Sequence, residues 1–368
     1  MRIVVSGRVA GTPHQGGAVW AVLQYVLGLG RLGHDVWLVE ETEIITASRE
    51  SFFRAVAEEF LLVERAALLE RGTRRSVGMA YQAVLAAAAG ADLLLNLSGT
   101  LRDEVLLEAI PLRVYVDLDP AFTQLWHAQG VDVGLEPHHR FATVGTALAA
   151  GTSVVPTLGI RWLATRPPVV LERWRPAGTV QRDFTTVANW RSYGSIEHDG
   201  IVYGQKAHSL RELIQLPTMA SGSFQLALSI HADETRDLLA LRAHGWGLLD
   251  PRVVAGTPAA YSAFIGSSRA ELGVAKAGYV TSACGWFSDR SACYLASGRP
   301  VVAQETGFSK DLPTGEGLLS FATVDQAVAC IEAVNGDWAR HAAAARELAE
   351  AYFDSDLVLS HLLESVTA

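Results

Sequence analysis

A chain of 368 residues is longer than one ordinary hydrophobic core supports and fits two domains. With 49% hydrophobic and 19% charged residues it is globular, and a net charge of −9 speaks against a phosphate-backbone binder while leaving room for a local basic pocket around one nucleotide. Cys284, Cys293 and Cys330 form no CxxC pair, which argues against a disulfide framework or a structural zinc.

In chain order, Met1 and Arg2 run straight into an apolar strand over 3–6, with no signal-peptide layout. A loop of small and turn-forming residues, 7–17, follows. Val19, Leu23, Val26 and Leu27 then predict a helix over 18–32, which Gly33 ends. A strand over 36–39 completes a β-loop-α-β unit, and such alternation implies a parallel sheet covered on both faces. Residues 50–71 and 77–89 read as helices, and 93–97, 114–116 and 141–144 as buried strands. The most apolar stretch, 83–97, is interrupted by Gly90, Asp92 and Asn96 and is too short to span a bilayer, so a cytoplasmic protein is expected. Pro156, Pro167, Pro168 and three charged residues between Trp162 and Trp174 mark an interdomain passage near 160–180. A second α/β series follows: strands over 184–188 and 225–230, helices over 234–244 and 258–265, a strand over 278–281, a helix over 288–297 and a strand over 300–303. Helices over 325–334 and 338–353 and a short last helix close the chain.

The most informative stretch is 285–302, GWFSDRSACYLASGRPVV. Ser288 or Asp289 can cap a helix through a side-chain oxygen, Gly298 ends it, and Pro300 opens a strand. The start of such a helix offers free N–H groups and a positive dipole end, which suit a phosphate, and Arg290 in its first turn adds a permanent cation. Equally, helix-Gly-x-Pro-strand units occur throughout α/β proteins, and Arg290 would then be a surface residue.

This segment resembles the donor-binding region of GT-B glycosyltransferases, in a divergent form of the family 1 and family 4 type. There a helix, Gly-x-Pro-Val and a strand lead into a glycine-containing loop, which here is 305–319, starting Glu305-Thr306-Gly307. Phe321, Thr323 and Ala327 resemble the edge strand and helix start that follow. The likeness covers most of 189–368 and, more weakly, 1–40. It implies an α/β fold of two Rossmann-like domains facing each other across a cleft. Residues 1–170 would form the acceptor side, 171–345 the nucleotide-sugar donor side, and 346–368 helices crossing back to the first domain. Ser288, Asp289, Arg290, Glu305, Thr306 and Gly307 then belong to the donor site. Many retaining members carry two glutamates eight positions apart, and alignment on Gly298-Arg299-Pro300-Val301 puts Gly285 and Cys293 at those places. Both carboxylates are missing. Asp289 stands in for the ribose or base contact and Glu305 for the sugar contact.

The family also places a cation near the start of the second domain, against the leaving diphosphate. Lys206 is the candidate and Arg191 the understudy, for a contribution of typically ~3–4 kcal/mol per donor in such sites. An ordinary solvated lysine is the alternative for Lys206.

The loop 7–17 contains neither GxGxxG nor GxxxxGK[ST], so the dinucleotide and P-loop fingerprints fail. Its Gly16-Gly17 pair resembles the acceptor-side loop of GT-B enzymes, where a histidine deprotonates the acceptor hydroxyl in many inverting members. On that likeness His14 is the general base; a loop histidine without that role is the other reading. Asp117 and Asp119 follow a strand at a position where open α/β sheets bind ligands, and either is a rival base or a partner for His14. Asp119 could equally cap a helix over 121–127. Their DxD spelling matches a metal motif of the other large glycosyltransferase fold, but the GT-B likeness implies neither metal nor cofactor. His138 and His139 diverge as neighbours and lack further ligands. Trp20, Trp126 and Trp286 lie beside these loops, where an aromatic face can stack on a sugar or simply pack.

Together these residues point to metal-independent, inverting transfer of a sugar from a nucleotide diphosphate sugar to a small-molecule, glycan or protein acceptor, with no nucleic-acid partner. A nucleotide-sugar 2-epimerase and a non-catalytic ligand-binding protein of the same fold stay open as alternatives, the second because of the missing glutamates.

Overall fold

The computed structural model describes residues 1–176 and 183–368, so the end of the passage expected at 160–180 lies outside the described residues. The uninterrupted apolar periodicity of the N-terminal stretch folds as expected. β1 (Arg2–Ser6), the first helix (Gly16–Arg31) and β2 (Asp35–Thr42) form one unit, turned by Gly33 at φ 82°. β3 (Ala66–Glu70), β4 (Ser76–Gly78), β5 (Leu93–Leu97), β6 (Leu112–Asp117), β7 (Arg140–Thr143) and β8 (Trp162–Ala164) extend the sheet in the order β4-β3-β2-β1-β5-β6-β7-β8. Among the described residues of this sheet, only the β3–β4 pair is antiparallel.

Two expected helices are corrected here. In place of a helix over 50–71, the helix starts earlier and ends sooner, at Ala47–Glu59, with its N-cap supplied by Thr46. The Ala66–Glu70 run pairs instead with β2 and is buried along most of its length, so burial in a sheet overrides its helix-favouring composition. Within 77–89, Gly78 at φ 81° separates β4 from a helix over Tyr81–Ala89.

The second unit contains β9 (Asp183–Asn189), a hairpin of β10 (Ile196–His198) and β11 (Ile201–Tyr203), β12 (Ser223–Ser229), β13 (Gly247–Leu249), β14 (Ala270–Gly273), β15 (Val301–Gln304) and β16 (Leu318–Phe321). Its six-stranded sheet is parallel, in the order β13-β12-β9-β14-β15-β16. The strand expected over 278–281 is a helix, Ala277–Ser282, where a Cβ on Gly278 would stand 2.5 Å from the Phe122 ring. The strand that belongs in this part of the sheet is β14, which carries the buried Glu271.

One apolar core runs from Ile3 through Tyr294 to Val366, joining both units. The helix Trp338–Tyr352 packs on the helix Asp289–Ala296, while the last helix, Ser355–Thr367, crosses to the first helix. There a Cβ on Gly28 would meet Leu359 at 2.6 Å, and Arg31 pairs with Asp356 and Glu172. Among the described residues no helix is long and apolar enough to cross a membrane, and all three cysteines are free.

Candidate active site between the two sheets

In open α/β sheets, ligands bind beyond the carboxyl ends of the strands where strand order reverses. The first sheet reverses between β1 and β5, and the second between β9 and β14. Both sets of strand ends open onto one cavity of about 610 Å³. His14, Ser98 and Asp119 line it from the first sheet, and Asn189, Lys206 and Arg290 from the second.

Lys206 opens the helix Lys206–Glu212, is buried, and donates from Nζ to the Val274 carbonyl at 2.5 Å. Among the described residues no carboxylate forms an ion pair with it. Burial, and then repulsion from Arg290, hold its pKa well below that of an ordinary lysine.

Arg290 is an inner wall of the cleft rather than a surface residue. Its Nε donates to Glu271 Oε1 and its Nη1 to the Val187 carbonyl at 3.0 Å. Burial pulls the guanidinium pKa down, but Glu271, together with Tyr261 and Tyr294, outweighs it and leaves the pKa raised. Ser288 occupies the N-cap position of the helix Asp289–Ala296 without capping it, and its Oγ is buried with no partner among the described residues. The Asp289 carboxyl turns toward the first-turn amides. Burial raises its pKa despite those amides and Arg290.

Asp119 is engaged on both oxygens. Lys276 Nζ lies 3.0 Å from each, Tyr193 donates its hydroxyl at 2.6 Å, and Tyr279 donates another. Asp119 does not cap the helix Phe122–Ala128, whose N-cap residue is Ala121. Asp117 is fully buried and outside the cavity lining. It accepts from Thr123 at 2.8 Å, from Gln124 and Thr143 at 2.9 Å, and from the Asp119 amide at 3.0 Å. Burial raises its pKa, and its four donors fix the loop after β6. Neither aspartate bonds to His14 among the described residues.

His14 is exposed, at φ 63°, and meets Phe52 edge to face with ring centroids 5.4 Å apart. Glu40 anchors its loop from beneath: the buried carboxylate accepts the amides of Ala10 at 2.7 Å and Gly11 at 2.6 Å. Burial keeps the Glu40 pKa raised even so. Gly16 and Gly17 bring this loop against the second unit. The Gly16 amide donates to Ala255 at 2.9 Å, and a Cβ on Gly17 would stand 2.8 Å from the Tyr261 ring.

Four expected donor residues do not line the cavity. Arg191 is paired with Glu234 at 2.5 Å. Glu305 folds back onto the Gly307 amide and the Ser320 hydroxyl, both at 2.6 Å. Thr306 bonds to the Trp286 carbonyl, and its own carbonyl accepts the Gly285 amide at 2.8 Å. With Gly307 at φ 98°, these residues brace the 285–287 turn from behind.

Beside the cleft lies an apolar chamber of about 170 Å³, which shares Gly17, Leu118, Tyr261, Trp286 and Asp289 with it and has Trp20 in its wall. Trp286 stacks on Tyr279 at 4.2 Å, and Trp126 meets Tyr193 at 4.5 Å. His138 is buried against Asn96, and burial pushes its pKa down to about 4, while His139 contacts Arg113. Among the described residues no group of three or more His, Cys, Asp or Glu could hold a metal ion.

Sequence reasoning missed Lys276, Tyr193, Tyr279, Glu271 and Glu40. Only Lys276 had a positional signal, because it follows the strand at the switch point, and that strand was itself misplaced.

No family model and no curated protein sequence matches the chain. Solved structures do match. An α-glucosyltransferase in complex with UDP-glucose and DNA containing an abasic site has a TM-score of 0.67 at 12% identity, over 100% of both chains. HepE of Anabaena, in complex with UDP and glucose, has a TM-score of 0.64 at 12% identity, again over 100% of both chains. A glycosyltransferase from Rickettsia africae has a TM-score of 0.57 at 11% identity, over 99% of this chain and 97% of that one. The chain therefore has the GT-B architecture, two Rossmann-like domains facing each other across a cleft.

Proposed function

We propose that the protein is a glycosyltransferase that moves a sugar from a nucleotide diphosphate sugar to an acceptor hydroxyl. Residues 171–345 form the donor side, 1–170 the acceptor side, and 346–368 tie the two. One observation carries this reading: a buried lysine with no carboxylate partner among the described residues, Lys206, stands beside a buried arginine, Arg290, at the switch point of the second sheet. Two desolvated cations facing a shared cavity fit a diphosphate, whose charge offsets the cost of burying them. The orphaned Ser288 hydroxyl supplies a further hydrogen bond for the phosphate or sugar, and Asp289 one for the sugar or ribose.

On the acceptor side His14 is the better base, because Asp117 and Asp119 are both saturated with donors. The acceptor proton passes to the imidazole, the freed oxygen attacks the anomeric carbon, and the bond to the diphosphate breaks with inversion. The diphosphate leaves with the electron pair, held by Lys206 and Arg290, so neither a metal nor a cofactor is required. With a net charge of −9, a small-molecule, glycan or protein acceptor fits better than nucleic acid, although four of the matching α-glucosyltransferase structures were solved with DNA.

Calorimetry with UDP tests the donor site. Lys206→Ala and Arg290→Ala should each weaken binding, and unchanged affinity in both rejects it. Incubation with UDP-sugars and a mixed acceptor panel that includes DNA should release UDP and give a product of inverted anomeric configuration. Interconversion of the free nucleotide sugar without UDP release would mark an epimerase instead.

A further inference from the structure

Lys276 and Asp119 belong to opposite walls of the cleft, 157 residues apart in the chain. Lys276 follows β14 in the second sheet and Asp119 follows β6 in the first, yet the lysine ammonium lies 3.0 Å from both carboxylate oxygens. The rings of Phe122, Tyr193 and Tyr279 enclose the ammonium, with centroids at 4.9, 4.4 and 5.0 Å. The Tyr193 and Tyr279 hydroxyls bond to the same carboxylate. Both charged residues line the cavity that also holds Lys206 and Arg290.

The two ion pairs of this cavity differ in kind. Arg290 and Glu271 both lie within the second sheet's own layer, buried, and their pairing does not depend on the other domain. Lys276 has its partner across the cleft, and the Asp119 side chain is 24% exposed. A lysine ammonium on a flexible stem exchanges partners more readily than a forked, buried guanidinium. Burial first, and then the charges of Arg290 and Lys276, depress the Lys206 amine, so all three cations act on one region.

Resting on the donor site argued above, we propose that Lys276 is a third diphosphate ligand held in reserve by Asp119, and that the donor takes it over on binding. The exchange strips the ammonium from the Asp119 carboxylate, which keeps the Tyr193 and Tyr279 hydroxyls as donors and is left with an uncompensated charge toward the acceptor side. Acceptor recognition by these groups thus follows donor binding, which makes the order of substrates a property of one lysine.

The test is a double-mutant cycle on the full chain, with UDP and inorganic pyrophosphate as probes in calorimetry and uridine as an uncharged control. Lys276→Met should weaken UDP binding by about tenfold or more, the usual effect of losing one charge-assisted contact. Asp119→Asn should tighten UDP binding several-fold, and this gain should vanish in the Lys276→Met background. Uridine affinity should not change in any variant. Lys276→Arg, which keeps the charge, should recover part of the loss, and thermal unfolding of each variant shows that it is folded. An equal gain from Asp119→Asn with or without Lys276 reveals plain repulsion between Asp119 and the diphosphate and overturns the exchange. Unchanged affinity in both single variants reduces the contact to a strap between domains and also overturns it. If the parent protein binds neither UDP nor pyrophosphate, the donor site itself fails, a result separate from either of these.

Discussion

Glu271 holds Arg290 by a single carboxylate oxygen, while its other oxygen is buried without a partner among the described residues. The cation that faces the cleft is thus fixed from a strand beneath it and not from its own helix. Removing one partner of a buried pair leaves an uncompensated charge and costs about 3–5 kcal/mol. Glu271→Ala should therefore lower unfolding stability by about that amount in urea titrations. A loss below about 1 kcal/mol would show that the pair is far better solvated than its burial implies.

Lys206 gives UDP binding a pH dependence of known sign. Its amine titrates well below an ordinary lysine because it is buried beside Arg290. A bound diphosphate favours the charged form and raises that pKa, so a proton is taken up on binding between the two values. Affinity should fall as pH rises through that window. Calorimetry in buffers of different ionisation enthalpy should report proton uptake, and Lys206→Met should abolish it. Uptake that persists in the variant assigns the proton to another group.

The glycine pair at the start of the first helix has a steric role that can be measured. A Cβ on Gly16 would stand 2.2 Å from the Thr257 carbonyl oxygen, and backbone cannot yield as a side chain can. Gly16→Ala should cost about 1–3 kcal/mol, the usual range for overpacking, and should lower activity by displacing the His14 loop from the donor side. A variant with parental melting temperature and turnover would contradict this close approach.

His14 and Glu40 should separate in kinetics. His14→Ala should reduce kcat by about 10²–10⁴-fold, the range for general-base catalysis, with UDP affinity unchanged. Glu40→Gln keeps the side-chain shape but weakens the acceptors for the Ala10 and Gly11 amides. It should lower kcat less than His14→Ala does, and it should leave the pH profile of the remaining activity in place. A shifted profile would make Glu40 part of the proton path rather than a support for the loop.

The regular parts of the fold were legible where apolar periodicity ran unbroken, as in β1, the first helix and β2. The helix before β15 was legible because Gly298 and Pro300 punctuate it. β3 was hidden by Ala-Leu-rich composition that favours a helix until a neighbouring strand buries it. β14 was hidden by Glu271, since a charge inside a buried strand has meaning only once Arg290 is known to reach it. Around the cavity, Lys206, Arg290 and His14 could be singled out from position along the chain, and all three are in its lining. The contact between Lys276 and Asp119 does not, because nothing local to either residue records a partner 157 positions away.

The seat of the last helix on the first has a practical consequence. Leu359 and Ser355 occupy the space left by Gly28, and Arg31 is paired with Asp356 at the same junction. The N-terminal half thus borrows part of its outer wall from the final thirteen residues of helix. Cutting the gene between the two sheets would yield one fragment with a raw apolar groove and another with a loose amphipathic tail. Anyone wishing to study the halves separately would need to graft Ser355–Thr367 back onto the first, for example through a flexible linker after residue 170.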